Sequence, residues 1–401
     1  MNVYERFGVK TVINAAGTQT RAGGTLMDPE VTAAMSEAAR NFVRIDELQD
    51  AASRLISEAT GAEAGYVTSG ASAGITLAVA ASIAGIDVDR MNRLPDTSGM
   101  AAEVIVQRPH RNAYDHAARV AGARLVEVGT SGFPGRGASW PWQVEAAITE
   151  RTTAMLWPVS DVPGVASLAE VSEIAHRHDL DVIVDAAAAL PPVSNLRRFI
   201  DLGADVVIFS GGKAIRGPQS TGIVAGRADL IESIALQHQD MDVYPQTWSL
   251  RGKYLESGVL PGPPHHGIGR GFKVGKEEIV GLMVALERYL ARDHEAEATL
   301  WLDRMNALAR CLDGIAGVTT EVLVDPKRPV PVLRLHLDEC IVGKSAYDMV
   351  NEMAEGDPPI ILSEGFAFNG VIGVNPLGLQ DGEEALIAER LKSALVYSGS
   401  C

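Results

Sequence analysis

Three short stretches of this 401-residue chain combine residue types that can do chemistry. The first, Thr68-Ser69-Gly70-Ala71-Ser72-Ala73-Gly74, lies between an apolar run and an Ala-rich run, as a turn from a strand into a helix would. Small residues there leave the N–H groups of a helix N-terminus open to a phosphate; a plain tight turn would use the same residues. The second, Asp181-Val182-Ile183-Val184-Asp185, closes an apolar strand with a carboxylate. Such a group is costly in the interior without a cationic partner, although as an N-cap for Ala186 onward it would also be satisfied. The third is Phe209-Ser210-Gly211-Gly212-Lys213-Ala214-Ile215-Arg216. A lysine just past a buried strand, in a Gly-rich turn, is placed to be desolvated and nucleophilic; an ordinary surface lysine is the alternative.

Taken together the three say more than any one. A phosphate cup, a strand-end aspartate and a strand-end lysine, in that order, are what pyridoxal phosphate requires. A lysine holds its aldehyde, a carboxylate its pyridinium, and a helix N-terminus its phosphate. Other signatures fail. Gly343-Lys344-Ser345 ends like a phosphate loop, but Asp338 stands where the first glycine belongs, and Gly267-Ile268-Gly269-Arg270-Gly271 lacks the last glycine of a dinucleotide fingerprint. His265-His266 and His176-Arg177-His178 have no helical i, i+4 partner, so no metal site is expected, and the latter pair reads as helix-end cations.

These groups need elements to hold them at strand ends, where open α/β sheets bind ligands. Seven candidate strands stand out: Gly65–Ser69, Glu103–Gln107, Arg124–Val128, Thr153–Val159, Asp181–Asp185, Asp205–Ser210 and Gly222–Gly226. Most are separated by helix-length stretches such as Ala113–Ala121 and Leu168–His178. That alternation predicts an α/β fold: a seven-stranded, mostly parallel sheet with helices on both faces. The breaker cluster Pro261-Gly262-Pro263-Pro264-His265-His266 suggests a boundary. The expected layout is an N-terminal arm (1–28), a large domain (29–260) and a small α+β C-terminal domain (261–401). The last opens with a long helix marked by Ile279, Leu282, Met283, Leu286, Tyr289 and Leu290. It continues as strands Thr319–Val324 and Val330–Leu337, helix Ser345–Glu355, strands Ile360–Ser363 and Gly370–Val374, and helix Glu383–Tyr397.

The net charge of −16 repels phosphate backbones, so nucleic acid is not expected as a partner. Cys311, Cys340 and Cys401 are odd in number and form no Cys-x-x-Cys, which fits a reducing compartment. The N-terminus carries charges where a signal peptide needs an apolar core, and the apolar stretch Gly74–Ile86 is too short to span a bilayer. A soluble cytoplasmic protein with no membrane partner is expected.

The text Ser210-Gly211-Gly212-Lys213-Ala214-Ile215-Arg216-Gly217-Pro218-Gln219, with the features before it, resembles the fold-type I pyridoxal-phosphate enzymes. It is similar to their selenocysteine-synthase-like branch, near class V aminotransferases, which includes an ammonia-lyase of an amino sugar acid. Val12-Ile13-Asn14-Ala15-Ala16-Gly17-Thr18, Gly61-Ala62-Glu63-Ala64 and Pro109-His110-Arg111-Asn112-Ala113-Tyr114-Asp115-His116 share the likeness, which runs to about residue 290. The resemblance implies that Lys213 binds the cofactor covalently and Asp185 pairs with its ring nitrogen. It also implies that Gly70, Ala71, Ser72 and Ser210 hold its phosphate, that His110 stacks on its ring, and that Asp161 approaches its phenolic oxygen. Two departures from class V, Gly212 for His and Ala188 for Gln, favour the selenocysteine-synthase-like branch.

The activity so implied is that of a carbon–nitrogen lyase acting on a hydroxy-amino acid or amino sugar acid. Lys213 takes the Cα proton, and β-elimination gives ammonia and a 2-oxo acid. Racemase or aldolase chemistry stays open; a tRNA-dependent selenium transferase or a non-catalytic scaffold fits less well. A substrate carboxylate calls for an arginine: Arg21, Arg216, Arg270 and Arg334 are the candidates, and Arg270, Lys273 and Lys276 form a basic cluster suited to a phosphate. The resemblance further implies a homo-oligomer, dimer or larger, in which Thr18, Gln19 or Arg21 reaches the neighbouring site.

Overall fold

The computed structural model describes residues 2–130 and 138–395; Cys401 and the end of the helix expected to reach Tyr397 lie outside the described residues. Its strands are β1 (Ile13–Ala15), β2 (Ala64–Thr68), β3 (Glu103–Gln107), β4 (Arg124–Val128), β5 (Thr152–Pro158), β6 (Asp181–Asp185), β7 (Val206–Ser210), β8 (Gly222–Gly226), β9 (Val318–Asp325), β10 (Arg328–Leu337), β11 (Ile360–Phe366) and β12 (Val371–Val374). The seven strands expected in the first part all form, with ends displaced by one residue at most.

Strands β2 to β8 make one sheet in the order β2-β8-β7-β6-β5-β3-β4. Val182, Ile183 and Val184 in β6, and Val206, Val207, Ile208 and Phe209 in β7, are completely buried. Side chains pointing both ways from these strands need apolar cover on both faces, and intervening helices supply it. Strands β7, β6, β5, β3 and β4 run parallel, whereas β8 is antiparallel to both β7 and β2. The helix Ala71–Ala84 is apolar all round and buried along most of its length, so it fills the core instead of covering a surface.

Strands β1 and β9 to β12 form a second sheet, ordered β1-β11-β12-β10-β9. Helices His294–Leu312, Ala346–Glu355 and Glu383–Leu395 pack against it through Met305, Leu308, Met349, Ile387 and Leu391. The helix His294–Leu312 escaped the sequence reading because its amphipathic pattern is interrupted by charges: only Trp301, Met305, Leu308 and Leu312 are buried.

The chain falls into two compact units, residues 27–190 with 194–290, and residues 1–26 with 191–193 and 291–401. This differs from the expected boundary at Pro261. The helix Lys276–Ala291 packs into the first unit, where Gly281 faces Met35 and Pro218 and Leu282 reaches Gly211. The N-terminal segment is likewise not a separate arm. Its strand β1 pairs in parallel with β11, Ile13 opposite Ile360, and the Asn14 amide donates to the carbonyls of Gly17 and Gly24.

Candidate active site

Register alone brings two of the three motifs together. Gly222 in β8 is opposite both Thr68 in β2 and Ser210 in β7, so the chains leaving β2 and β7 emerge side by side. A Cβ at Gly222 would stand 2.7 Å from the Ala71 nitrogen, so only glycine lets the turn after β2 lie against β8. Gly70 adopts φ +113°, and no side chain caps the helix Ala71–Ala84 that follows. Its first N–H groups therefore face outward at the positive end of the helix dipole. Gly70 and Ala71 are half-buried there and Ser72 is exposed.

Lys213 sits in the connection between β7 and β8, at the same edge. The loop is closed by Gly211 N–H donating to Thr221 O (2.9 Å) and Gly217 N–H donating to Gly211 O (2.8 Å). Arg216 takes a left-handed φ of +62°, a conformation a non-glycine residue holds only when its surroundings impose it. Lys213 and Ser210 are half-buried.

Asp185 ends β6, the neighbour of β7, opposite Ile208. No helix begins at Ala186, so the capping alternative fails; the next helix is Asn195–Asp201. The Asp185 carboxylate instead accepts from the Ala187 N–H at 3.1 Å. Burial pushes its pKa up, while that N–H and the Lys213 charge pull it down, and burial prevails.

On the other side, Val159 N–H donates to Asp185 O (2.9 Å), carrying the β5–β6 pairing one residue beyond Pro158. Ser160 follows, its buried Oγ without a hydrogen-bond partner, and then the exposed Asp161. His110 closes the short turn Arg108–His110 after β3 and is 3% exposed, with neither ring nitrogen partnered. Trp157 meets it edge-on, ring centroids 5.3 Å apart at 88°. Burial lowers the His110 pKa to about 4, so its ring is neutral at physiological pH. Orphaned buried polar atoms of this kind are rare without a ligand or water.

Residues 101–256 match the family model Aminotransferase class-V. Across 399 residues the chain is 35% identical to the D-glucosaminate-6-phosphate ammonia lyase of Salmonella typhimurium (strain 14028s / SGSC 2262), covering 98% of this chain and 97% of that protein. The chain belongs to that enzyme's family. Its cofactor is pyridoxal 5'-phosphate, and its fold is fold-type I. A solved D-glucosaminate-6-phosphate ammonia-lyase superposes with a TM-score of 0.81 at 34% identity, over 98% of both chains. The 5'-C-glycyluridine monooxygenase-decarboxylase of a Streptomyces sp is 34% identical over 407 residues, 99% of this chain and 92% of that one. The L-seryl-tRNA(Sec) selenium transferase of Actinobacillus pleuropneumoniae serotype 7 (strain AP76) is 29% identical over 257 residues, 56% of this chain and 51% of that one. The carbon–nitrogen lyase and the selenocysteine-synthase-like likeness expected from the sequence agree with these relatives.

The residues of the edge fit the cofactor of this family. The uncapped N-terminus at Gly70–Ser72 suits its phosphate, the lysine–carboxylate pair its aldehyde and ring nitrogen, and the orphaned His110 and Ser160 a polar ring between them.

The cationic candidates are dispersed. Arg270, in the turn Ile268–Phe272, pairs with Asp240 at 3.2 Å. With Arg44 and Lys273 it lines a cleft of about 660 Å³ floored by Trp248 and His238. Lys276 does not join them: its ammonium donates to the Ala38 carbonyl at 2.8 Å and pairs with Glu277. Arg21 and Arg334 belong to the smaller unit, Arg21 paired with Glu364 at 2.8 Å and Arg334 over the Phe366 ring at 4.5 Å. His266 also departs from expectation, since Asp240 and Asp242 bring carboxylate oxygens within 4.8 Å of it, all three exposed. Sequence reasoning missed Trp157, Gly222 and Arg44. Of these only Gly222 left a signal, a glycine inside a strand.

Proposed function

We propose that the protein is a pyridoxal-phosphate-dependent ammonia-lyase of an acidic amino sugar, a 2-amino-3-hydroxy acid that leaves as a 2-oxo acid. The observation that carries this reading is the 35% identity to such a lyase along the whole chain, with the Lys213–Asp185 pair intact. When bound, the cofactor withdraws the electron pair left at Cα once the proton is taken. Lys213 is the base that takes that proton. Asp185 holds a proton at the cofactor's ring nitrogen by a charge-assisted hydrogen bond, and its burial makes that charge effective. His110, neutral, covers the ring and excludes water. Gly70, Ala71, Ser72 and Ser210 would hold the phosphate, and Asp161 would serve the phenolic oxygen. Cα loses a proton and Cβ loses hydroxide; a water then replaces nitrogen, so the net products are the 2-oxo acid and ammonia.

The substrate's acidic groups are assigned to Arg270 and Lys273 in their cleft. The cleft contains none of Lys213, Asp185 and His110. Ile45 and Val243 in its lining are exposed apolar side chains, as are Phe42, Val43 and Tyr244 close to them in the chain. Such a rim is what a protein interface leaves bare. A homodimer, in which the cleft of one copy serves the Lys213 site of the other, accounts for both features. No helix among the described residues is long and apolar enough to cross a membrane, and Cys311 and Cys340 are unbridged, which supports a cytoplasmic location.

The test is product analysis with amino sugar acids, phosphorylated and not, under air and under argon. Ammonia and a 2-oxo acid in equal amounts, with no added keto acid and no oxygen uptake, are expected. Solvent deuterium at Cα without ammonia would mean racemisation. The full-length likeness to a monooxygenase-decarboxylase supports a second reading, whose mark would be oxygen consumption with release of carbon dioxide.

A further inference from the structure

The run Gly267-Ile268-Gly269-Arg270-Gly271, which fails as a dinucleotide fingerprint, has a different use in the fold. Two of its glycines abut the end of helix Ala228–His238. A Cβ at Gly267 would stand 2.6 Å from Gln237 Cα, and one at Gly269 would stand 2.9 Å from His238 Cα and 2.6 Å from Leu77 Cδ2. The segment therefore lies flush on the helix end. There the Phe272 carbonyl comes within 3.0 Å of His238 Nε2. A carbonyl can only accept, so Nε2 carries a hydrogen, and the neutral ring leaves Nδ1 as acceptor. The Tyr66 hydroxyl, 3.0 Å away, donates to it. Tyr66 and His238 are both buried. Burial keeps the phenol protonated and the imidazole neutral, so one polarity of this chain is favoured.

The phenol–imidazole–carbonyl chain ties β2 to the segment that carries Arg270 and Lys273 into the cleft. We propose that His238, oriented by Tyr66, is a positioning residue for anion recognition: it fixes the Gly267–Lys273 arm so that Arg270 and Lys273 meet a substrate phosphate already aligned. The proposal rests on the reading of the cleft as a substrate-anchoring site. Its physical basis is preorganisation, since an arm held before binding loses little freedom on binding.

The experiment uses the holoenzyme, with D-glucosaminate 6-phosphate as substrate and inorganic phosphate as a calorimetric probe. Arg270→Ala tests the cleft itself: KM and the phosphate Kd rise if the cleft anchors substrate, and constants that do not move overturn that reading and the proposal with it. His238→Phe keeps a ring and removes both hydrogen bonds. Each such bond is worth about a factor of five, so KM and phosphate Kd are expected to rise about tenfold or more. The kcat should stay within about twofold and the cofactor absorbance should not change, because the arm is remote from Lys213 in the sequence and acts on binding. His238→Gln, still able to donate to the Phe272 carbonyl, should recover most of the loss. Phosphate binding weakened by Arg270→Ala but not by His238→Phe would leave the cleft standing and overturn the role of His238. A fall in kcat and cofactor content that Gln does not rescue would show general packing and overturn it too. Should His238→Phe fail to fold, Tyr66→Phe deletes a single oxygen; about fivefold weaker phosphate binding is expected, and unchanged binding refutes the proposal.

Discussion

His110 offers a quantitative check on the site. Its pKa falls from 6.5 to about 4 because the ring is buried, and neither nitrogen has a partner to stabilise a proton. The unfolded chain takes up this proton near 6.5, whereas the folded chain takes it only near 4. Between these values the unfolded state binds more protons, so the folded state loses stability as pH falls through that window and keeps it in full above the upper value. At about 1.4 kcal/mol per unit the whole shift is worth about 3 kcal/mol, of which about 2 kcal/mol is already lost at pH 5. His110→Phe keeps an aromatic ring against Trp157, whose centroid lies 5.3 Å away, and removes the titration. Thermal unfolding of the two proteins at equal cofactor concentration, at about pH 7.5 and pH 5, is the assay. The melting temperature of the wild type relative to the variant should drop by roughly 4 °C on acidification. Parallel curves at the two pH values would refute the claim that a buried, neutral His110 lines the site.

Borohydride reduction followed by peptide mapping should find the cofactor on Lys213, and Lys213→Ala should abolish both the adduct and turnover without unfolding. The cofactor on Lys253 or Lys276 would reassign the site. Asp185→Asn should cut turnover much more than cofactor occupancy, since a charge-assisted hydrogen bond worth about 1.5–3 kcal/mol is needed most as charge develops at Cα; equal activity in that variant would reduce Asp185 to a turn residue. Gly212→Ala should cost about 1–3 kcal/mol of stability, measured by denaturant titration, because its Cβ collides with the Gln219 backbone. Light scattering at micromolar protein should give a dimer or larger, and a monomer with cofactor bound would dismiss the shared-site assembly.

Much of the large sheet was legible because its central strands carry an uninterrupted apolar run bounded by turn residues, as Asp181–Asp185 and Val206–Ser210 do. The strand-end rule then placed the phosphate turn, Asp185 and Lys213 at one edge before any register was known. What sequence could not provide was the direction of β8. Its antiparallel course makes Gly222 the common neighbour of Thr68 and Ser210, and no local pattern encodes that pairing. Strand β1 escaped for a related reason. It has only Ile13–Ala15 to offer, and it is a strand because β11 accepts it, Ile13 opposite Ile360. The boundary at Pro261 failed because breakers mark turns, whereas the division of the chain follows packing, and helix Lys276–Ala291 packs with the Lys213 loop.

The departure at Gly212 then has a physical meaning beyond family bookkeeping. A side chain at 212 has no room, because the loop returns on itself and brings Gln219 against the Gly212 backbone. The His that class V enzymes often carry before the lysine has no room on this backbone, whereas His110 comes from the far side of β5 against Trp157. The tight return also shortens the tether of Lys213: Gly211 is bonded to both Thr221 and Gly217, and the Arg216 N–H bonds the Lys213 carbonyl at 2.9 Å. In the role proposed for Lys213, a base on so short a loop would explore little space, and its effective concentration at Cα would stay high. Removing a proton and retaining the base beside it suits elimination, where one group acts at one carbon. Transamination asks the same lysine to carry the proton to the cofactor's own carbon as well, and a constrained loop serves that longer transfer less well.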